Sequence, residues 1–501
     1  MTQGTSITEK NDRFSLLLLI SLSLFVFFGM LGTRELWTHE GRWAVICLEM
    51  MQKQDFFHPT FLGFPYYDKP LGSYWLILLF TKLFQGLNEW ALRFPSALSG
   101  LFTVISVYIL GRRLFNPKTG LLAGFLLVSS YFFVLWGRTA GSDMLNVAGT
   151  VMAITWYHEK KERPSFFNYL GFFSILSITS LMKGLLGAVI PLLILFPELL
   201  REGNWKRHIT KPSCYSAIIT AGLIYILPFL LSTWIPGNTS GKEGLKMVFI
   251  ENIVRFIKPF DHTDPFYTYL IYFPLYFFPW ILLFIPALIH HLHHWKTNSP
   301  ASRWIFLANV LIFLFFTASG SRRSYYILPL LPFASLLVSS WIMQITADHP
   351  RLPFLVKNTS LFLGIILLIW FNLIQPFMEK TGGLKKFMNH LRTESEKIKP
   401  WNEWQAVTIF AIPKTVFYLK NSNRVFDLKD DPESEGVEKR ISAFILKHQG
   451  SIIVSKKKYE EKIKKLYPFP FVMIEEEAGG LSYFSKAGAE NKTIAFIPES
   501  T

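Results

Sequence analysis

Runs of close to twenty apolar residues recur along most of this chain, at 14–33, 93–110, 119–136, 144–157, 166–182, 184–200, 214–234, 266–290, 304–319, 326–346 and 354–377. A hydrocarbon layer about 30 Å thick selects helices of this length, because backbone N–H and C=O groups in lipid find partners only inside their own helix. Half of the 501 residues are hydrophobic, 48 are Phe and 17% are charged, with a mean hydropathy of +0.30. Ordinary soluble domains of this size are not so apolar. The chain therefore reads as an all-α polytopic membrane protein with roughly eleven crossings, some of them short.

The segment 71–84 is apolar but about fourteen residues long, which suits an interfacial or re-entrant helix better than a crossing. Topology supports that choice. With 71–84 left at the surface, the basic loops around Arg112, Arg113 and Lys118, around Lys160, Lys161 and Arg163, and around Arg201, Lys206, Arg207 and Lys211 share a side with Lys10 and Arg13. Lys296, Arg303, Arg351 and Lys357 follow them. The positive-inside rule makes that side cytoplasmic. It also accounts for much of the net charge of +16, so nucleic acid is not needed as a partner. The first run lacks a small-residue cleavage site and reads as a retained anchor. Cys47 and Cys214 fall on opposite sides, so no disulfide framework is expected.

Beyond residue 378 the character changes. Residues 406–412 and 451–455 read as short buried strands, and 442–448 and 458–466 as helices. The chain thus divides into a membrane domain, 1–378, and a small α/β domain, 379–501, which an odd number of crossings places outside the cell membrane. No repeat of solenoid length is present.

The same topology gathers polar residues on the outer side. They come from the first loop within 34–92, the turn 138–143, the loop 236–264 and the segment 319–325. The inventory holds carboxylates (Glu40, Asp68, Asp143, Glu251, Asp264), cations (Arg42, Lys69, Lys183, Arg255, Arg322, Arg323) and the histidines His39 and His262. Several cations beside carboxylates suit chemistry in which a phosphate is held or released, since they stabilise charge developing on the leaving group. A carboxylate orients or deprotonates an acceptor. Plainer readings exist: Lys183 and the Arg322, Arg323 pair as side chains reaching for headgroups, and Glu49, Lys53 and Asp55 as a solvated helix face. His290, His291, His293 and His294 read as a solvated helix end on the cytoplasmic side.

The run HEGRWAVICLEMMQKQDFFHPTFLGFPYYDKPLGSYW, residues 39–75, resembles the first outer loop of bacterial aminoarabinose transferases and of the related protein O-mannosyltransferases. Asp143 after an outer turn, Lys183-Gly184, ENIVRF from Glu251, His262 before Pro265-Phe266, Pro279-Trp280 and Arg322 ahead of Tyr326-Ile327-Leu328-Pro329 follow in the family's order. The resemblance implies a glycosyltransferase-C fold of about eleven to thirteen transmembrane helices with a soluble C-terminal domain. It also implies an inverting transfer of a sugar from a polyprenyl (undecaprenyl) phosphate carrier on the periplasmic side of the inner membrane. The partners would be that donor, membrane lipid, and lipid A or another cell-envelope acceptor.

Carried over position by position, the resemblance makes Glu40, Asp143 and His39 the catalytic candidates. His39 stands where many relatives have Asp, and an imidazole with an ordinary pKa near 6.5 is able to act as a base. Lys69, Arg42, Lys183, Arg322 and Tyr326 match positions suited to the carrier phosphate. Asp68, where relatives carry Glu, and His262 match a pair able to share a divalent metal such as zinc, although two ligands make a weak site. No cofactor is required by this reading. Transfer of aminoarabinose to lipid A is the leading expectation. A protein Ser/Thr or a lipopolysaccharide core or O-antigen sugar is the alternative acceptor, and a transporter or an inactive scaffold the reading from another class.

Overall fold

The computed structural model describes residues 2–203, 205–235, 241–259, 263–379, 383–410, 413–419, 425–428, 436–467, 470–476 and 492–499. The membrane part starts with α1 (Thr2–Phe28) and continues into a loop carrying α2 (Thr38–Lys53), a two-stranded hairpin of β1 (Thr60–Phe61) and β2 (Phe64–Pro65), and the short α3 (Gly72–Leu83). Then come α4 (Glu89–Leu114), α5 (Pro117–Val128), α6 (Tyr131–Gly137), α7 (Asp143–Lys160), α8 (Phe166–Lys183), α9 (Leu186–Glu202), α10 (Trp205–Ile209) and α11 (Pro212–Trp234). α12 (Gly241–Phe249) runs through a π-helical turn, Ile250–Val254, into α13 (Arg255–Ile257). α14 (Thr268–Tyr276), α15 (Ile281–His293), α16 (Pro300–Ala318), α17 (Leu330–Gln344) and α18 (Leu352–Ile369) complete the bundle, and α19 (Gln375–Glu379) leads out of it.

Local chemistry sets several of these ends. Asn88 caps α4 by accepting the Ala91 N–H at 3.0 Å, and Arg112 and Arg113 close its last turn against the negative end of the helix dipole. Asn116 caps α5, whose first residue is Pro117. Among the described residues, five helices are long and apolar enough to cross a membrane by length and composition, and counting each of two bent pairs as one span brings this to seven. α3, with 12 residues, is the short helix expected over 71–84.

Two expected single spans are broken instead. Residues 119–136 form α5 and α6, bent by 75°, and residues 266–290 fall in α14 and α15, bent by 113°. At the first break the Ser129 and Ser130 hydroxyls bond back to the Phe125 and Leu126 carbonyls at 2.7 and 2.8 Å, offering the chain an alternative to the helix ladder. At the second, Pro279 has no N–H to continue it. The breaks meet: Trp280 Nε1 donates to Ser129 Oγ at 3.0 Å, and the Phe132 and Tyr276 rings stack at 4.6 Å. The main apolar core runs through α1, α4, α5, α7, α16 and α17.

The C-terminal part comprises α20 (Leu384–Glu396), β3 (Ala406–Ile409), α21 (Pro413–Leu419), β4 (Val425–Leu428), α22 (Val437–Lys447), β5 (Ile452–Lys456), α23 (Glu460–Leu466), β6 (Phe471–Glu475) and β7 (Thr493–Pro498). Its sheet has the order β4-β3-β5-β7-β6, with β3 parallel to β4 and β5, and β7 antiparallel to β5 and β6. Alternate residues serve opposite faces. Ala406, Ile452, Val454 and Ala495 pack with α20, while Val407, Ile453, Ile494 and Phe496 pack with α22 and α23. β3, β5, α22 and α23 overlap the strands expected at 406–412 and 451–455 and the helices expected at 442–448 and 458–466.

Candidate active site

The first loop is anchored by Glu40, in the first turn of α2. Its carboxylate takes Arg93 Nε at 2.7 Å and Arg93 NH2 at 2.8 Å, Arg34 NH2 at 3.1 Å, and the backbone N–H groups of Trp37 and Ala140 at 2.8 Å each. Burial alone pushes the Glu40 carboxyl up, but Arg93, Arg34 and the Ala140 amide outweigh it and hold it at about 2. Glu40 is fully buried and does not line the cavity described next. Its expected catalytic role is therefore corrected: every lone pair it offers is spent joining the first loop, α4 and the turn before α7.

That turn delivers Asp143 as the first residue of α7. Lys183, the last residue of α8, donates to Asp143 Oδ1 at 2.5 Å and lies 5.0 Å from the centre of the Tyr326 ring. The chain then reverses at Gly184, whose φ of +100° favours glycine and whose missing Cβ leaves room for Asn252; a Cβ there would stand 2.5 Å from Asn252 Oδ1. Asn252 and Glu251 project from the π-helical turn after α12. Glu251 takes Arg255 NH1 at 2.5 Å and Lys69 Nζ at 3.4 Å. Arg255 also donates to Ser321 Oγ at 3.1 Å and Tyr326 Oη at 3.4 Å.

These groups enclose a cavity of about 170 Å³. Arg42, Lys69, Lys183, Arg255 and Arg323 line it together with Asp68, Asp143, Glu251 and His39. Trp136 and Tyr325, with rings 4.5 Å apart, give one wall an aromatic surface. Burial, followed by the nearby Arg323, lowers the His39 pKa, so the imidazole is neutral at neutral pH. Burial also lowers Lys69, against the opposing pull of Glu251. Arg42 donates to Tyr66 Oη at 2.9 Å.

The structure thus brings together His39, Arg42, Asp68, Lys69, Asp143, Lys183 and Tyr326 as the sequence suggests. It leaves Arg322 out. That guanidinium donates to the carbonyls of Thr317, at 3.2 and 3.1 Å, and Asp264, at 2.9 Å, while Arg323 faces the cavity. Arg323 has extended backbone, φ −135° and ψ 148°, and successive extended residues point to opposite sides. Glu251, Asn252 and Arg255, all within the ENIVRF run, belong to the site, whereas Trp136 and Tyr325 carry no sequence signal beyond residue type. His262 lies outside the described residues. Asp68 sits among Arg42, Lys69 and Tyr66, and among the described residues no group of three His, Cys, Asp or Glu is arranged to hold a metal. No step is routed through a metal ion.

Residues 68–232 match the pattern of the dolichyl-phosphate-mannose-protein mannosyltransferase family. The chain is similar to undecaprenyl phosphate-alpha-4-amino-4-deoxy-L-arabinose arabinosyl transferase 1 of Pseudomonas fluorescens, at 28% identity over 376 residues. The match covers 72% of this chain and 66% of that relative, just under two thirds of its length. Among solved structures it resembles ArnT from Cupriavidus metallidurans bound to undecaprenyl phosphate, with a TM-score of 0.74 at 17% identity over 96% of this chain and 97% of that one. The chain has the fold of that transferase, the glycosyltransferase-C fold. The Archaeoglobus fulgidus oligosaccharyltransferase, in a complex with Zn and sulfate, shares this fold more distantly, with a TM-score of 0.55 at 12% identity over 90% of this chain and 69% of that one. Within this fold the cavity lies where the first loop, the start of α7 and the segment before α17 converge.

Proposed function

We propose that this multi-pass membrane protein transfers 4-amino-4-deoxy-arabinose from undecaprenyl phosphate to a phosphate of lipid A, at the outer face of the bacterial inner membrane. The observation that carries this reading is the set of five cations, Arg42, Lys69, Lys183, Arg255 and Arg323, around one cavity beside Asp143. The names and folds of the similar proteins support it.

In the proposed step an acceptor oxygen attacks the anomeric carbon with inversion. The bond from that carbon to the carrier phosphate breaks, and its electron pair leaves on the phosphate. Fixed cations in a site sheltered from water stabilise this developing charge, so the step needs no additional cofactor. A lipid A phosphate is already an anion and attacks without losing a proton. Asp143 then fixes Lys183 toward the departing phosphate, and Asp68 offers the sugar's ammonium group a counter-charge. Trp136 and Tyr325 present ring faces to the pyranose. A hydroxyl acceptor, on protein or on glycan, is the second reading, favoured by the neutral His39 imidazole as a base.

The test is the mass spectrum of lipid A from a Gram-negative host lacking its own aminoarabinose transferase and supplied with this chain. The expected result is a mass increase equal to one aminoarabinose, absent with Lys183→Ala. An unchanged spectrum, with the protein folded and the donor present, rejects the lipid A reading, and glycan analysis of envelope proteins and core sugars then tests the second.

A further inference from the structure

A piece of the C-terminal domain lies inside the core of the first loop. Phe417, on α21, is 1% exposed and packs in one cluster with Leu36, Trp43, Ile46 and Met50. At Gly41, α2 and α21 approach tightly, since a Cβ there would stand 2.7 Å from the Lys414 backbone nitrogen. At about 100° per residue, Gly41 lies about 200° around α2 from His39. The helix is held between α21 on one face and, through His39, Arg42 and Trp43, the cavity on the other.

The chain just ahead of α2 is pinned from both sides. Tyr418 Oη accepts the Leu36 N–H at 2.9 Å and donates to Glu89 at 3.1 Å. Lys414 Nζ meets Glu35 Oε1 at 2.7 Å, and the Leu384 N–H donates to Glu35 Oε2 at 2.8 Å. From the membrane side Arg93, the partner of Glu40, donates to the carbonyls of Arg34 and Glu35 at 2.8 and 2.9 Å.

We infer that the C-terminal domain is a working part of the active site: through α21 it sets the position of α2, and with it His39 and Arg42. Lys414 and Tyr418 are positioning residues; neither lines the cavity. The kinetic consequence rests on the proposed transfer, whereas the structural one does not.

Two full-length variants test it. Tyr418→Phe removes one hydroxyl and keeps the ring packing, and Gly41→Ala drives a methyl group into the Lys414 backbone. Amide exchange over 36–42 is expected to quicken about tenfold in both, with α7 and α16 unchanged. Undecaprenyl phosphate is expected still to bind one per chain, with transfer falling about ten- to a hundredfold in kcat and little in KM. Lys397→Ala, an exposed change on the same domain, is the control and keeps wild-type rates. Unchanged exchange in both variants, or quickened exchange with undiminished kcat, overturns the inference. A wild-type chain that transfers nothing contradicts the proposed function alone, and exchange then decides the positioning by itself.

Discussion

Arg322 and Arg323 are adjacent and chemically identical, yet only Arg323 faces the cavity. Arg323→Ala is expected to lower transfer about a hundredfold, the usual scale for losing one fixed donor to a developing anion. Arg322→Ala, which removes a guanidinium bonded to the Thr317 and Asp264 carbonyls, is expected to keep most of the rate and lose stability instead. Steady-state kinetics beside a thermal unfolding curve separates the two. Glu40 makes the opposite case, a motif carboxylate with a structural task. Removing its charge in Glu40→Gln leaves Arg93 buried against a neutral partner, at a cost of about 3–5 kcal/mol read from unfolding in detergent. Its folded pKa, about 2 against an ordinary 4.5, also fixes the sign of a pH effect. The contribution is fully present above the unfolded value and is lost as pH falls from 4.5 toward 2. Thermal unfolding across that window is expected to show the loss in wild type and not in Glu40→Gln. The sequence shows that these residues are charged and near one side of the membrane. It does not show whether a carboxylate's lone pairs are already taken, or which of two neighbouring arginines turns inward, because partners for Glu40 come from as far along the chain as Arg93 and Ala140.

Elements were more legible than their interruptions. The C-terminal strands announce themselves as short β-branched runs bounded by turns, and the alternation of Val407 and Ile453 against Ala406 and Ile452 fits a sheet covered on both faces. The long spans follow from length and hydropathy alone. The bends between α5 and α6 and between α14 and α15 do not, because serines and prolines occur inside unbroken membrane helices as well. What fixes these two breaks is the contact between them, the Trp280 N–H on Ser129 Oγ. Trp280→Phe keeps the aromatic volume and removes that donor. It is expected to cost about 1 kcal/mol, seen as a lower unfolding midpoint with little change in the affinity for undecaprenyl phosphate.

Across the whole molecule, charged groups from distant segments are gathered at one cavity. Cations and carboxylates converge where the first loop, the start of α7, the end of α8 and the segment before α17 meet. The C-terminal domain closes over the loop through α21. For the proposed polyprenyl-linked donor, fixed cations in this cavity hold the carrier phosphate by charge. This cavity is proposed to cleave a sugar from a polyprenyl phosphate. The most direct measurement is the release of undecaprenyl phosphate, in a single turnover, by purified protein given the aminoarabinose donor and lipid A. Stoichiometric release by wild type and at least about a hundredfold slower release by Asp143→Asn are predicted. Equal rates for the two proteins, both folded and both binding the carrier, would contradict it.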